Sequence, residues 1–463
     1  MKTFKLTYFI LGTGIFMLIF CILSGASIAA KYSEINGLYR TNKVSVNLLE
    51  NKGLKGNGAF TRDDIRHLQE FSFKNIDMTY AAEDKALVAY ENNQTQVNVF
   101  GISDKYNMFH EIKMKSGSFI TSGNKNEMVA VVDEKLAIAL FNNTNVVGLY
   151  IELYNQRFKI IGVVEPDESI IQALTDNGYG SIYIPVELKE VYDANSRITC
   201  LELRAADMGT TGKNINSMKD ALGSIGKNAS DYKIIDYNVE RILVEESAWI
   251  SIFIPGVIIM VLLLLSIKTK ALELYNSINS TLKEQYFKDV LKLKVVKLSL
   301  ILLEILVTLV FVYLIWKTIR FNIYIPPEYI PGDLIDRTFF SEVFERLIQK
   351  SMLNTGYVPT LWEMRLNILS VMQSWNLYIY IFAGLPLYYL GLKLLGLGKG
   401  DITKKILYCC IYMVFSIILS LLILSIFNMP ITVDTGRMLI VLGFVFLSTY
   451  KKEDNVQESN QKV

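Results

Sequence analysis

The chain has 463 residues, 51% of them hydrophobic, and 47 lysines and arginines against 45 aspartates and glutamates leave a formal net charge of +2. So even a balance gives no electrostatic basis for binding nucleic acid. Four cysteines, of which Cys21, Cys409 and Cys410 fall inside apolar runs, exclude a disulfide framework and leave the thiols as small apolar fillers.

A hydrocarbon core of about 30 Å takes roughly 20 apolar residues to cross as a helix. In chain order such runs occupy 6–30, 248–267, 298–316, 377–395 and 406–427, and a weaker one lies at 431–450. The first follows Lys2 and Lys5 as a signal peptide would, but it far exceeds the ~7–15 apolar residues of a signal h-region, so it reads as an uncleaved anchor. Lysine placement then sets orientation. Lys2 and Lys5, the lysine-rich 268–297 loop, the 396–405 loop with Lys399, Lys404 and Lys405, and Lys451 and Lys452 of the 451–463 tail mark the inner side. The large segment 31–247 and the loop 317–376 are expected outside, although Lys317 and Arg320 run against that scheme. The fold class expected is an α-helical integral membrane protein of about six transmembrane helices. It carries a large α+β extracytoplasmic domain between helices 1 and 2. It sits in the cell membrane with both termini cytoplasmic, and the polar tail after Tyr450 is expected without structure.

Within 31–247, KVSVNLL (43–49) alternates like a half-buried strand. Thr61 and Asp64 have capping-box spacing ahead of Ile65 and Leu68. QVNVFGI (96–102), EMVAVVD (127–133), YIELY (150–154), RFKIIGVV (157–164), SIYIPV (181–186) and ITCLELRA (198–205) are β-rich runs separated by Gly, Asn and Asp turns. Helices are expected at 134–141 and 214–225, and a final strand at 232–237. Gly117 and Gly148 stand where strands must turn, which suits a residue free to take positive φ.

The order of these pieces resembles the extracytoplasmic core domain of MacB-type, FtsX-like ABC transporter permeases. The matching stretches are VNVFGISDKY (97–106), EIKMKSGSFI (111–120), EMVAVVDEKLAIALF (127–141), NVVGLYIELYNQRFKIIGVV (145–164) and SIYIPVE (181–187). They follow that family's V-x-G strand, G-x-F turn, strand into an A-x-x-L helix, V-G-x-x-I strand and F-x-V-x-G-V-V strand, with Ile160 in place of a valine. The resemblance covers about the first 270 residues. The second half departs from the family. Its loop lacks the A-x-G part of the coupling signature, and the 317–376 loop and the 406–450 hairpin are additions.

Two features of the second half are candidate coupling sites. The segment around Lys283, Glu284, Tyr286, Phe287, Lys288, Asp289, Val290 and Leu291 reads as an amphipathic helix facing either an ATPase groove or anionic lipid. Glu304, an ionisable group inside an apolar run, is expected to couple helix movement or to pair with Lys294 or Lys297. A second amphipathic stretch lies at 339–353, and Pro255 and Pro386 are expected to kink their helices.

No G-x-x-x-x-G-K-[ST], G-x-S-x-G or H-E-x-x-H occurs, and His67 and His110 sit in no metal-ligand pattern. No catalytic residue, metal or cofactor is therefore expected. The resemblance implies the membrane subunit of an ABC system. Its partners would be a cytoplasmic ATPase, a second permease (homo- or heterodimer), membrane lipids and an extracytoplasmic peptide or lipoprotein. It would export or handle peptides, lipids or lipoproteins. The alternatives are an FtsX-like scaffold activating an extracellular cell-wall hydrolase, or a membrane-anchored binding protein with no ATPase.

Overall fold

In the computed structural model, residues 2–49, 58–193, 196–205, 213–282, 287–325, 329–330, 337–353, 357–397 and 402–461 are described. They divide into two compact units. One comprises Ala30–Leu243 and Tyr324–Ser370, the other Met1–Ala29, Val244–Ile323 and Val371–Val463.

The first unit is built on a ten-stranded mixed sheet. Its strands are β1 (Lys43–Leu48), β2 (Met78–Tyr90), β3 (Asn93–Ile102), β4 (Met114–Gly117), β5 (Val129–Asp133), β6 (Tyr150–Leu153), β7 (Gln156–Val164), β8 (Gly180–Pro185), β9 (Cys200–Arg204) and β10 (Tyr232–Asp236). They lie in the order β10-β1-β9-β2-β3-β8-β5-β7-β4, with β6 bridging β2 and β7. Chain order along the helices is α1 (Lys2–Ile35), α2 (Arg62–His67), α3 (Tyr106–Phe109), α4 (Glu134–Phe141), α5 (Ile170–Thr175), α6 (Val186–Tyr192), α7 (Lys213–Ser224) and α8 (Tyr237–Leu282).

Local chemistry fixes several of these boundaries. The Thr61 side chain accepts from the Asp64 N–H at 3.1 Å while Asp64 accepts from the Thr61 N–H at 2.9 Å, completing the box the spacing implied. Asp133 caps α4 by accepting from Leu136 N–H at 2.8 Å. One face of the sheet is apolar. Leu136, Ala137 and Leu140 of α4 pack on Val99, Val132, Phe158 and Ile182, and Met218 and Leu222 of α7 pack on Val46, Leu201 and Leu203.

The second unit is helical: the membrane ends of α1 and α8, then α9 (Phe287–Ile319) and the helices that follow residue 370. After α10 (Arg337–Leu353), which belongs to the first unit, α11 spans Leu361–Ile379. It continues through a π turn at Tyr380–Gly384 into α12 (Leu385–Leu397), and α13 (Ile402–Ile426) and α14 (Thr435–Gln461) follow. Among the described residues, five helices are long and apolar enough to cross a membrane, and Thr435–Tyr450 is a shorter apolar helix. α1 packs on α12 at small residues: a Cβ on Gly14 would lie 2.6 Å from the Tyr388 backbone, and one on Gly391 2.6 Å from Leu11 Cα. Asn376 Nδ2 donates to the Cys21 carbonyl at 2.7 Å, and Ser24 Oγ donates to Asn376 Oδ1 at 2.8 Å.

Several expectations are revised. The loop at 268–297 is helical through all its described residues, because α8 continues to Leu282 and α9 begins at Phe287. The helix expected from 377 starts at Leu361, and the tail after Tyr450 prolongs α14. The π turn at 380–384 ends two residues before Pro386, whose missing N–H cannot join the ordinary ladder.

Candidate functional site

The alternation read in β1 is real, but its polar face is covered. Val44 and Val46 face the apolar core, whereas Lys43, Ser45 and Asn47 are each 3% exposed or less. A buried polar row must find partners, and here each side chain has one, although Asn47 Oδ1 is left without a donor. Lys43 Nζ donates to the Phe109 carbonyl at 2.7 Å and to Glu202 Oε1 at 3.2 Å. Ser45 Oγ donates to the Tyr237 hydroxyl at 3.3 Å, and Asn47 Nδ2 donates to Glu363 Oε2 at 3.1 Å.

The pairing register brings these groups together. Ser45 stands opposite Glu202 of β9, and Asn47 opposite Lys233 of β10. Lys233 Nζ lies 2.5 Å from Glu363 Oε1, and the Tyr357 hydroxyl donates to Glu363 Oε2. Glu363 thus receives an amide from one strand, an ammonium from its neighbour and a phenol from its own segment.

The first turn of α11 makes the lid of this row. The Glu363 N–H donates to Thr360 Oγ1 at 3.3 Å, so Thr360 caps the helix. The ring of Trp362 stacks on His110 at 4.6 Å, and its Nε1–H donates to the Tyr106 hydroxyl at 2.9 Å. His110 Nε2 lies 3.0 Å from Glu202 Oε2.

Electrostatics follow from burial and neighbours. Burial pushes His110 down to about 4, against the pull of Glu202, so the ring is neutral at pH 7. Burial alone would raise Glu202, but His110 and Lys43 outweigh it and hold the carboxyl at about 2. Burial lowers Lys43, opposed by Glu202. Glu83 of β2 is raised to about 7 by burial and then by the charges of Glu202 and Glu363. The arrangement has no nucleophile beside a base. What it does is fasten the start of α11 to the sheet.

The coupling candidates fall elsewhere. Lys283, Glu284 and Tyr286 lie outside the described residues. Phe287, Lys288, Asp289, Val290 and Leu291 form the first turns of α9, with only their backbone described. Glu304 lies on α9, and its ion-pair partner is Lys270 of α8, a residue not considered for it from the sequence. Sequence reasoning also missed Glu363, Trp362 and Arg365. The available signal was TLWE at 360–363, a [ST]-x-x-E helix start ahead of an apolar run.

Residues 9–221 match the MacB-like periplasmic core domain family. Among curated proteins, the chain is 22% identical over 261 residues to an uncharacterized ABC transporter permease, YknZ, of Bacillus subtilis (strain 168), covering 50% of this chain and 62% of that one. It is 24% identical over 201 residues to the macrolide export ATP-binding/permease protein MacB of Aggregatibacter actinomycetemcomitans, covering 41% of this chain and 31% of that one. The chain therefore spans less than two thirds of either relative. Among solved structures, the periplasmic region of MacB from Actinobacillus actinomycetemcomitans aligns at a TM-score of 0.38 with 21% identity, covering 47% of this chain and 97% of that one. The extracellular domain of YknZ from Gram-positive bacteria aligns at 0.33 with 15% identity, covering 42% and 100%.

Proposed function

We propose that the chain, whose residues 9–221 match the MacB-like periplasmic core domain, is a multi-pass membrane protein with an extracytoplasmic domain that serves as the membrane subunit of an ABC transporter. A separate ATPase supplies the energy. The membrane ends of the helices move, and the extracytoplasmic domain moves with them to export or handle peptides, lipids or lipoproteins. The observation that carries this reading is the continuity of α1 and α8, the helices that lead into and out of the sheet domain. Such a helix passes displacement along its axis because its turns are tied by backbone hydrogen bonds, Pro255 removing one donor from the α8 ladder. The same holds for α11, whose first turn is fastened to the sheet through Glu363.

In this reading the ATPase docks at 283–291, the Lys270–Glu304 pair joins α8 to α9, and a second permease completes the assembly. Purification of the chain from its native membrane in mild detergent tests it. A P-loop ATPase is expected to co-purify and to be lost when residues 283–294 are deleted. Its reproducible absence from an otherwise intact complex would overturn the permease reading in favour of an anchored binding protein. A bound cell-wall hydrolase in its place would favour the signalling scaffold.

A further inference from the structure

A cleft in the sheet domain runs between the end of β7, α5 and the first turn of α11, and Arg365 forms part of its wall. The charges lining it differ in whether they are already answered. Glu111 is paired with Lys113 at 2.8 Å, Glu134 with Lys115 at 2.5 Å and Asp176 with Lys135 at 2.9 Å. Asp167 lies 3.5 Å from Lys31, and Asp133 accepts from the N–H groups of Leu136 and Ser181 at 2.8 and 2.7 Å. Glu165 is exposed at the rim.

Arg365 is the opposite case. It is 8% exposed, and its guanidinium lies 4.7 Å from the Trp362 ring centroid. One terminal nitrogen donates to the neutral Gln172 Oε1, and Nε has no acceptor. Among the described residues no carboxylate oxygen comes within 4.0 Å of it. Glu111 and Asp167 act on it only from beyond that distance, and burial of a cation is ordinarily tolerated where a contacting partner and further hydrogen bonds complete it. Planar guanidinium donors match a carboxylate two-to-two.

We propose that this cleft binds the C-terminal carboxylate of a peptide, with Arg365 as the anion-binding residue. A monoanion suits the site better than a phosphate, because Glu111 and Asp167 also act on Arg365 and would repel a second negative charge. Beside the guanidinium, the side chains of Asn98, Thr175 and Ser181 and the rings of Tyr179 and Tyr183 line the cleft, a mixed surface on which peptide amides and an apolar side chain can lie. The inference goes beyond the permease reading. It concerns this domain alone and its test involves no ATPase, so either can fail without the other.

The test is calorimetric titration of the full chain in lipid nanodiscs with N-acetyl-Ala-Ala-Tyr, as the free acid and as the carboxamide. The free acid is expected to bind at least about tenfold more tightly, the margin of one charge-assisted pair. Arg365→Lys is expected to erase that margin, since a point charge cannot reproduce the fork. The acid–amide comparison on the unaltered chain decides by itself, whether or not a variant at the buried Arg365 folds. Equal binding of the two peptides, including no binding of either, overturns the proposal. So does inorganic phosphate that displaces the acid at comparable concentration, because the site would then be a general anion site.

Discussion

The carboxylate of Glu363 is 2% exposed, yet its partner Lys233, 2.5 Å away, keeps 29% of its side chain in solvent. The pair is therefore asymmetric. Removing the lysine strands a desolvated charge, while neutralising the glutamate leaves an ammonium that can turn to water. Lys233→Met is expected to destabilise the sheet domain by up to about 3 kcal/mol. Glu363→Gln is expected to cost about 1 kcal/mol, since Asn47 and Tyr357 can still bond the amide. The double variant should be no less stable than Lys233→Met alone. Thermal melts of the full chain in detergent, followed by near-ultraviolet circular dichroism, measure the order. Equal losses from both single variants would show that the asymmetry has no energetic weight.

How far this site was legible in the sequence depends on what covers each strand. The apolar half of β1 and the caps at Thr61 and Asp133 are local patterns, and reading them required no distant partner. β2 was not recognised, because its middle, Glu83-Asp84-Lys85 between alanines, has weak strand propensity. Its long hairpin pairing with β3, from Ala81↔Ile102 to Tyr90↔Asn93, makes it a strand regardless. The polar face of β1 looked solvated because the group that buries Asn47 comes from Glu363, 316 residues away. Hydropathy likewise placed the start of the fourth apolar helix at 377. The turn holding Trp362, Glu363 and Arg365 is too polar to score as a span, although Thr360 caps it.

Among the groups through which stability should vary with pH, two at this site are opposed. Glu83, raised from 4.5 to about 7, holds more protons in the fold than unfolded between those values, so its contribution is full below pH 4.5 and is lost as pH rises toward 7. His110, lowered from 6.5 to about 4, has the opposite sign: its contribution is full above pH 6.5 and is lost as pH falls toward 4. Glu83→Gln removes only the first. It should match the unaltered chain at pH 4 and exceed it at pH 8 by at most about 3 kcal/mol. Melting curves at pH 4, 6 and 8 measure this, and a difference that does not grow with pH would refute it.

Lys270 of α8 pairs with Glu304 of α9, which lies inside the apolar run 298–316. An ionised carboxylate inside a membrane helix costs up to about 2.5–3.5 kcal/mol without a partner, so Glu304 deprived of Lys270 should lower the yield of folded protein. Lys270→Met is expected to reduce the monodisperse fraction on gel filtration more than Glu304→Leu, which leaves its lysine at the inner end of the span. The charge-free double variant should recover most of it. If the pair also couples α8 to α9, the double variant will fold while ATP turnover in the complex falls severalfold. Unchanged turnover would leave the pair as an anchor.

Gly117 and Gly148 looked equivalent as turn glycines, and both have positive φ, +75° and +94°. Their surroundings separate them. A Cβ on Gly117 would lie 2.1 Å from the Ile161 carbonyl oxygen and 2.7 Å from Gly162 Cα, both backbone atoms of β7 that cannot swing aside. At Gly148 no heavy atom lies within 4 Å. Gly148→Ala should therefore cost only the left-handed backbone penalty, about 1–2 kcal/mol. Gly117→Ala adds a clash with the strand it pairs with, Gly117 standing opposite Gly162, and should cost about 3 kcal/mol or more. Parallel melts of the two variants rank them. A larger loss at Gly148 than at Gly117 would mean that β4 is not held against β7 in this register.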